Sequence, residues 1–287
     1  MLLLGRLSLP RFSVSRPSSL REAVERLSSG EGVYPIAGGT ALIPLIKKGL
    51  LEVRELVDLS SVRELGAIRR EDGRVFVGGM VTHSELVDAA PWGMRNVLRD
   101  FLRNHTSPHV MNLATVGGSV ASSTSSEDLL PVLLAADAEV VLAGRDGDHS
   151  VSLEDYLARR GSFRAEIVEG VRVRYVWDGW RFSFSKLSVS VRRMPAFCVV
   201  VGARVSDQTV EDCRVAVAFA DGLRPGRLRD VEDAVRGKRV DAVRAADVED
   251  AVRRSIRPAG DVHFPSEYRR KVTSRVTALM LSEVLGA

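Results

Sequence analysis

Two glycine doublets, Gly38 with Gly39 and Gly117 with Gly118, constrain this chain more than any other feature of its 287 residues. The first sits in the run Ala37, Gly38, Gly39, Thr40, after an apolar stretch that reads as a strand and before one that reads as a helix. The second sits in the run Thr115, Val116, Gly117, Gly118, Ser119, in a polar loop that stays rich in serine and threonine to Ser126. Without a Cβ, a residue lets a backbone N–H approach an anion closely, and a helix N-terminus beside it adds positive dipole. Thr40, Thr115 and Ser119 offer hydroxyl donors as well. Two such loops facing each other can hold both phosphates of a diphosphate with little need for lysine or arginine. Taken singly, a Gly–Gly doublet is more often a plain tight turn, and that reading stays open for each. Neither loop is a Walker motif, because no Gly-Lys-Ser/Thr follows, and neither has the G-x-G-x-x-G spacing of a Rossmann fingerprint.

The pattern around the doublets is α/β at first and changes later. Ser19 and Glu22 read as a capping box, with Leu20, Ala23, Val24 and Leu27 at helical spacing behind them and Gly30 as a stop. Strands are expected at 33–37, 56–59, 75–77 and 139–142, and helices at 41–48, from Thr82 towards Ala90, and around Val97 to Leu102. From Ile167 the apolar residues alternate, with Val171, Val173 and Tyr175 set against Arg172 and Arg174, and residues 181–190 alternate likewise. Residues 196–201 and 215–219 read as more fully buried strands. Helices are expected at 228–236, 248–254 and 265–284, the last with Val272, Val276, Leu279 and Met280 on one stripe. The fold class expected is α+β, with subdomains at 1–60 and 61–174 and a C-terminal α+β domain at 175–287.

Composition closes off several classes. Hydrophobic residues make up 45% and charged residues 27%, which fits a packed core and excludes a disordered or fibrous chain. The net charge of +4, from 41 basic and 37 acidic side chains, is too thin to argue for nucleic acid. Arginine supplies every cation except Lys47, Lys48, Lys186, Lys238 and Lys271. No apolar run reaches the roughly 18–20 residues needed to cross a bilayer, and residues 1–4 lack a signal-peptide pattern, so a cytoplasmic protein is expected. Cys198 and Cys213 are the only cysteines, too few for a four-cysteine iron–sulfur or zinc site. His105 and His109 are four apart, but Pro108 lies between them and argues against a metal pair; no metal site is expected.

The doublets also carry a resemblance. "IAGGTALIPLIKKG" (36–49) and "NLATVGGSVASSTSSEDLLPVLLAADAEVVL" (112–142) resemble the two flavin loops of the FAD-binding medium subunits of molybdenum hydroxylases. That group includes CO dehydrogenase medium subunits, archaeal aldehyde or glyceraldehyde oxidoreductase medium subunits and the FAD domain of xanthine dehydrogenase. "EIVEGVRV" (166–173), "FSKL" (184–187), "LRDVEDAVRGK" (228–238) and "PSEYRRKV" (265–272) extend the likeness, in order, across nearly the whole chain.

The resemblance implies a PCMH-type FAD-binding fold of two α/β subdomains, plus a C-terminal domain of a small antiparallel sheet and helices. It implies FAD as cofactor, with the pyrophosphate held by Pro35, Ile36, Ala37, Gly38, Gly39, Thr40, Ala41 and Leu42 and by Thr115, Val116, Gly117, Gly118 and Ser119. Asp128 matches an aspartate that contacts the flavin side. Val168 and Lys186 match FAD-contacting positions of the xanthine dehydrogenase branch, and His105 stands where that branch has an aromatic residue against the ring. A bare lysine on an alternating strand is ordinarily solvated, which is the plain alternative for Lys186. Departures are Ala41 where the family often has aspartate, Met111 where it often has arginine, and Ser119 where asparagine is frequent; the glycine donors survive all three.

The expected role is that of an electron-transfer subunit without a catalytic side chain of its own. Its partners would be a small subunit with two [2Fe–2S] clusters and a molybdopterin large subunit, in a dimer of heterotrimers. Two other readings stay open: a free-standing flavin-dependent oxidoreductase with its own substrate pocket, and a scaffold that has lost its flavin.

Overall fold

The computed structural model describes residues 9–89, 94–104, 107–124, 127–159, 165–175, 177–188, 195–219 and 224–286. They form two compact units, each gathered from separate stretches of chain. The first unit takes its residues from 1–89, 108–122 and 139–173; the second takes them from 90–107, 123–138 and 174–287.

The first unit opens with a three-stranded parallel sheet of β1 (Ser13–Ser15), β2 (Val33–Ile36) and β3 (Glu55–Asp58), in the order β1-β3-β2. Side chains alternate across a strand, so each face of this sheet needs its own cover. The Leu20–Leu27 helix lays Ala23, Val24 and Leu27 on Val33 and Val57. Ile46, with Leu42 and Ile43 beside it, covers Leu56, Tyr34 and Ile36. The first helix begins as its sequence predicts, with Ser19 Oγ accepting from Glu22 N at 3.2 Å. Glu22 reaches back one residue further than a capping box requires, taking Ser18 N at 2.8 Å.

The second sheet of this unit contains β4 (Ile68–Glu71), β5 (Arg74–Gly78), β6 (Glu139–Gly144), β7 (Gly147–Ser152) and β8 (Ile167–Arg174), in the order β4-β5-β8-β6-β7. The β6–β8 pairing is antiparallel and shifts register between Val141 and Leu142. Gly170 of β8 is obligatory, because a Cβ there would lie 2.3 Å from Val77 O and 2.7 Å from the Phe76 ring.

The second unit is built on an antiparallel sheet of β9 (Trp180–Leu187), β10 (Phe197–Ser206), β11 (Thr209–Ala218) and β12 (Gly226–Arg227), in the order β12-β11-β10-β9. Phe197, Val199 and Val201, with Val215 and Val217, pack against Val248, Val252 and Leu281 of the C-terminal helices. The opposite face is covered by the Leu129–Ala135 helix, and by the Arg95–Asn104 helix against β9. With both faces covered, β10 is buried from Phe197 to Ala203, which explains its unbroken apolar run.

One expectation holds only in part. On the Ser266–Leu285 helix Met280 is in the core and the partly buried Val272 and Val276 pack against it, but Leu279 is 60% exposed, and Thr273, Ser274, Thr277 and Leu281 are buried as well. Thr277 Oγ1 donates to Thr273 O at 2.8 Å and Ser274 Oγ to Arg270 O at 2.9 Å. Because these two hydroxyls satisfy themselves on their own helix, they can be buried, and Leu279 can be left to solvent.

Candidate cofactor site

After Ile36 the chain leaves the parallel sheet and turns at Gly39, whose φ of +70° lies in the left-handed region that favours glycine. Ile43 N then donates to Gly39 O at 3.0 Å and the Leu42–Lys47 helix begins. The amides of Gly38, Gly39, Thr40 and Ala41 donate to no other group among the described residues. Four successive unused N–H groups in a partly exposed loop are the donors that a nest for an anion requires. No acidic residue stands within residues 35–42 to compete with an anion.

The second doublet behaves differently and corrects the expectation of a polar loop. Val116, Gly117, Gly118 and Ser119 form the start of the Val116–Ser122 helix. Their amides are spent inside the protein. Val116 N donates to Val81 O and Gly117 N to Gly79 O, both at 2.9 Å. Gly118 N donates to Thr115 Oγ1 at 3.0 Å and Ser119 N to Thr115 O at 2.9 Å. Gly117 is needed for close packing, since its Cβ would stand 2.7 Å from Gly79 Cα. Ser119 is buried, and its hydroxyl lies 2.9 Å from His83 Nε2 instead of facing an anion. Thr115 accepts from Gly118 and keeps its own hydroxyl proton to give.

The structure brings the two loops together. A Cβ on Gly38 would meet Leu113 O at 1.6 Å, so the first loop lies directly on the chain that leads into Thr115. The same unit holds a cavity of about 1040 Å³, lined by Tyr34, Pro35, Arg54, Ala121, Glu166 and Val168 among others. Pro35 and Val168, both expected at a cofactor site, thus share one wall space with Ala121 of the second-loop helix. The volume is that of a large small-molecule site.

Asp128 and Lys186 belong to the second unit and meet there. Lys186 Nζ lies 2.5 Å from Asp128 Oδ2, and the two side chains are 4% and 3% exposed. Lys186 is therefore not the solvated lysine of the plain reading. Its neighbour across the sheet, Cys198, sends its thiol towards Asp128 O at 3.9 Å. Burial, and after it the Asp128 charge, push the Cys198 thiol well up from its ordinary range. His105 lies outside the described residues.

Sequence reasoning missed His83. It is fully buried and bound to Ser119, beside Thr82, from which the helix is expected to start. The one available signal was a histidine at a helix start where the apolar pattern wants a core residue.

Comparison with known proteins covers both units. The family described as FAD binding domain in molybdopterin dehydrogenase matches residues 10–173, and CO dehydrogenase flavoprotein C-terminal domain matches 183–284. The chain is 27% identical over 284 residues to the glyceraldehyde dehydrogenase medium chain of Sulfolobus acidocaldarius, covering 96% of this chain and 99% of that one. It is 26% identical over 284 residues to the carbon monoxide dehydrogenase medium chain of Hydrogenophaga pseudoflava, covering 95% and 96%. In fold it is similar to a chain of the Cu,Mo-CO dehydrogenase in its cyanide-inactivated form, with a TM-score of 0.90 at 22% identity over 98% of this chain and 99% of that one. A chain of quinoline 2-oxidoreductase from Pseudomonas putida 86 gives 0.89 at 24% identity, again over 98% and 99%.

Proposed function

The chain belongs to the family of FAD binding domains of molybdopterin dehydrogenases, and from that premise we propose that it is the electron-transfer subunit of a molybdenum-containing hydroxylase or dehydrogenase. It takes electrons from an iron–sulfur subunit and passes them to an external acceptor. The observation that carries this reading is the run of unused amides at Gly38, Gly39, Thr40 and Ala41, locked through Gly38 onto Leu113, in the unit that also holds the cavity of Pro35 and Val168. Those residues fit a dinucleotide diphosphate.

Bound FAD supplies the exchange between one-electron and two-electron carriers; the protein supplies position and electrostatics. The first-loop amides and the Thr40 and Thr115 hydroxyls hold the diphosphate. Pro35 and Val168 line the space for the rest of the dinucleotide. Asp128 and Lys186, matched by resemblance to positions on the flavin side, bring a fixed buried ion pair. No side chain is assigned a proton-transfer or nucleophilic step. The free cysteines Cys198 and Cys213 are both buried, which supports placing the clusters on another chain. The partners are then a small subunit with two [2Fe–2S] clusters and a molybdopterin large subunit, as a dimer of heterotrimers. No helix among the described residues is long and apolar enough to cross a membrane, and we assign the complex to the cytoplasm.

The test is a charge in the amide nest. Thr40 is exposed, so Thr40→Glu leaves packing intact while setting a carboxylate among donors meant for phosphate. FAD affinity of the purified chain is expected to fall at least about tenfold with the melting curve unchanged, and Thr40→Ser to retain it. Equal FAD affinity in Thr40→Glu would remove the diphosphate from this loop. A folded wild-type chain that takes up no FAD would leave the scaffold reading standing. Bulky residues at Gly38 are a poor test, because a collision with Leu113 O would confound binding with folding.

A further inference from the structure

The second glycine loop is held from behind by a short track of chain, and His83 stands at its end. Gly117 N donates to Gly79 O, Val116 N to Val81 O and His83 N to Ala114 O, each at 2.9 Å, while Thr82 bridges Thr115. The track is itself pinned. Gly79 N donates to Glu169 O at 2.6 Å, and Glu85 accepts from both the amide and the hydroxyl of Thr82 at 2.8 Å. With the start of the His83–Ala89 helix fixed in this way, the imidazole is directed inward. It enters the interior and meets Ser119 Oγ at 2.9 Å, with His83 wholly buried and Ser119 4% exposed.

From this we infer that His83 is a positioning residue for the cofactor loop, a clasp that grips it at both ends, by backbone at Ala114 and by side chain at Ser119. The reading rests on the assignment of Thr115 and its neighbours to FAD. His83 reaches no part of the surface, and its bond to Ser119 acts on the cofactor through the loop. Three backbone bonds set the path of residues 114–117. The ring bond at Ser119 adds a side-chain anchor one turn beyond Thr115, on the same helix start whose Gly118 amide donates to the Thr115 hydroxyl oxygen. Rigid support behind a binding group is what keeps its geometry within the few tenths of an ångström that tight binding requires.

The experiment measures FAD affinity of the full chain, stripped and reloaded, by flavin fluorescence, beside the melting temperature of the stripped chain. His83→Leu fills a similar space without a ring nitrogen, and Ser119→Ala removes the other half of the bond. Each is expected to weaken FAD binding about tenfold, and the double variant no more than either alone, as members of one contact do. His83→Gln, whose amide can reach Ser119 Oγ, is expected to recover most of the loss. A purely structural role would lower melting in all variants and leave the affinity of the folded protein unmoved. Unchanged affinity in Ser119→Ala, or additive losses in the double variant, would overturn the clasp. Should His83→Leu fail to fold, Ser119→Ala and His83→Gln carry the test. A wild-type chain that binds no FAD would instead refute the cofactor assignment on which the clasp depends.

Discussion

Lys186 shows how far a side chain can depart from the habit of its type. An alternating strand normally turns its lysines to water, and β9 alternates. The register pairs Lys186 with Cys198, and the Cys198 thiol points at Asp128 O, so Lys186 stands on the face covered by the Leu129–Ala135 helix. Asp128 opens that helix and supplies the counter-charge. Removing one member of such a pair strands the other in low dielectric. Lys186→Met is therefore expected to cost about 3–5 kcal/mol in urea unfolding, and the double change with Asp128→Leu much less. A cost below about 1 kcal/mol for Lys186→Met would show that water reaches the site. His83 and Ser119 tell the same story with neutral groups: their types were plain in the sequence, and their partnership across 36 positions was not.

At the scale of elements, the segments that followed local rules were legible. The Leu20–Leu27 helix begins at the cap that Ser19 announces, and β10 is as buried as its apolar run suggests. Elements whose burial depends on their neighbours were not. The Ser266–Leu285 helix presents Leu279 to solvent because the sheet takes the face carrying Thr273, Thr277 and Leu281. Leu281→Ala should then cost about 2–5 kcal/mol through the cavity it leaves, whereas Leu279→Gln should fall within about 0.5 kcal/mol of wild type. Equal melting of the two variants would contradict the observed face. The glycine doublets divide in the same way. Gly39 serves a left-handed turn that local sequence foretells, while Gly38 and Gly117 serve contacts with Leu113 and Gly79 that it does not.

Over the whole molecule the charges set an acid limit. Glu71 is held below the usual carboxylate range by its bond from Arg172, which outweighs burial, with Arg69 adding to it. Burial is the largest influence on Asp212 and opposes its charge, yet Arg214, the Cys213 amide and Arg236 together carry it below its ordinary value. Lowered folded-state values mean stability that is present above the unfolded range near 4 and lost as pH falls through the folded values. Glu169 has the opposite sign, raised first by burial and then by Asp148, so its contribution is present at low pH and lost as pH rises through its folded value. Melting temperature is expected to drop steeply below about pH 4, and less steeply in Glu71→Gln, which removes one of the shifted groups. An identical pH profile in Glu71→Gln would show that its ion pair with Arg172 does not form in solution.

The sequence by itself determined most of the elements and their order, because turn chemistry and periodicity are local properties of the chain, and its resemblance to a known family gave the cofactor. Only the tertiary structure decided which glycine donates and which merely makes room, which lysine is buried, and which histidine stands behind the loop. Those outcomes depend on residues distant in sequence, such as Gly38 against Leu113, Gly117 against Gly79 and Lys186 against Asp128. A hydrogen bond or a collision is settled by what arrives in space, and no local pattern records the arrival.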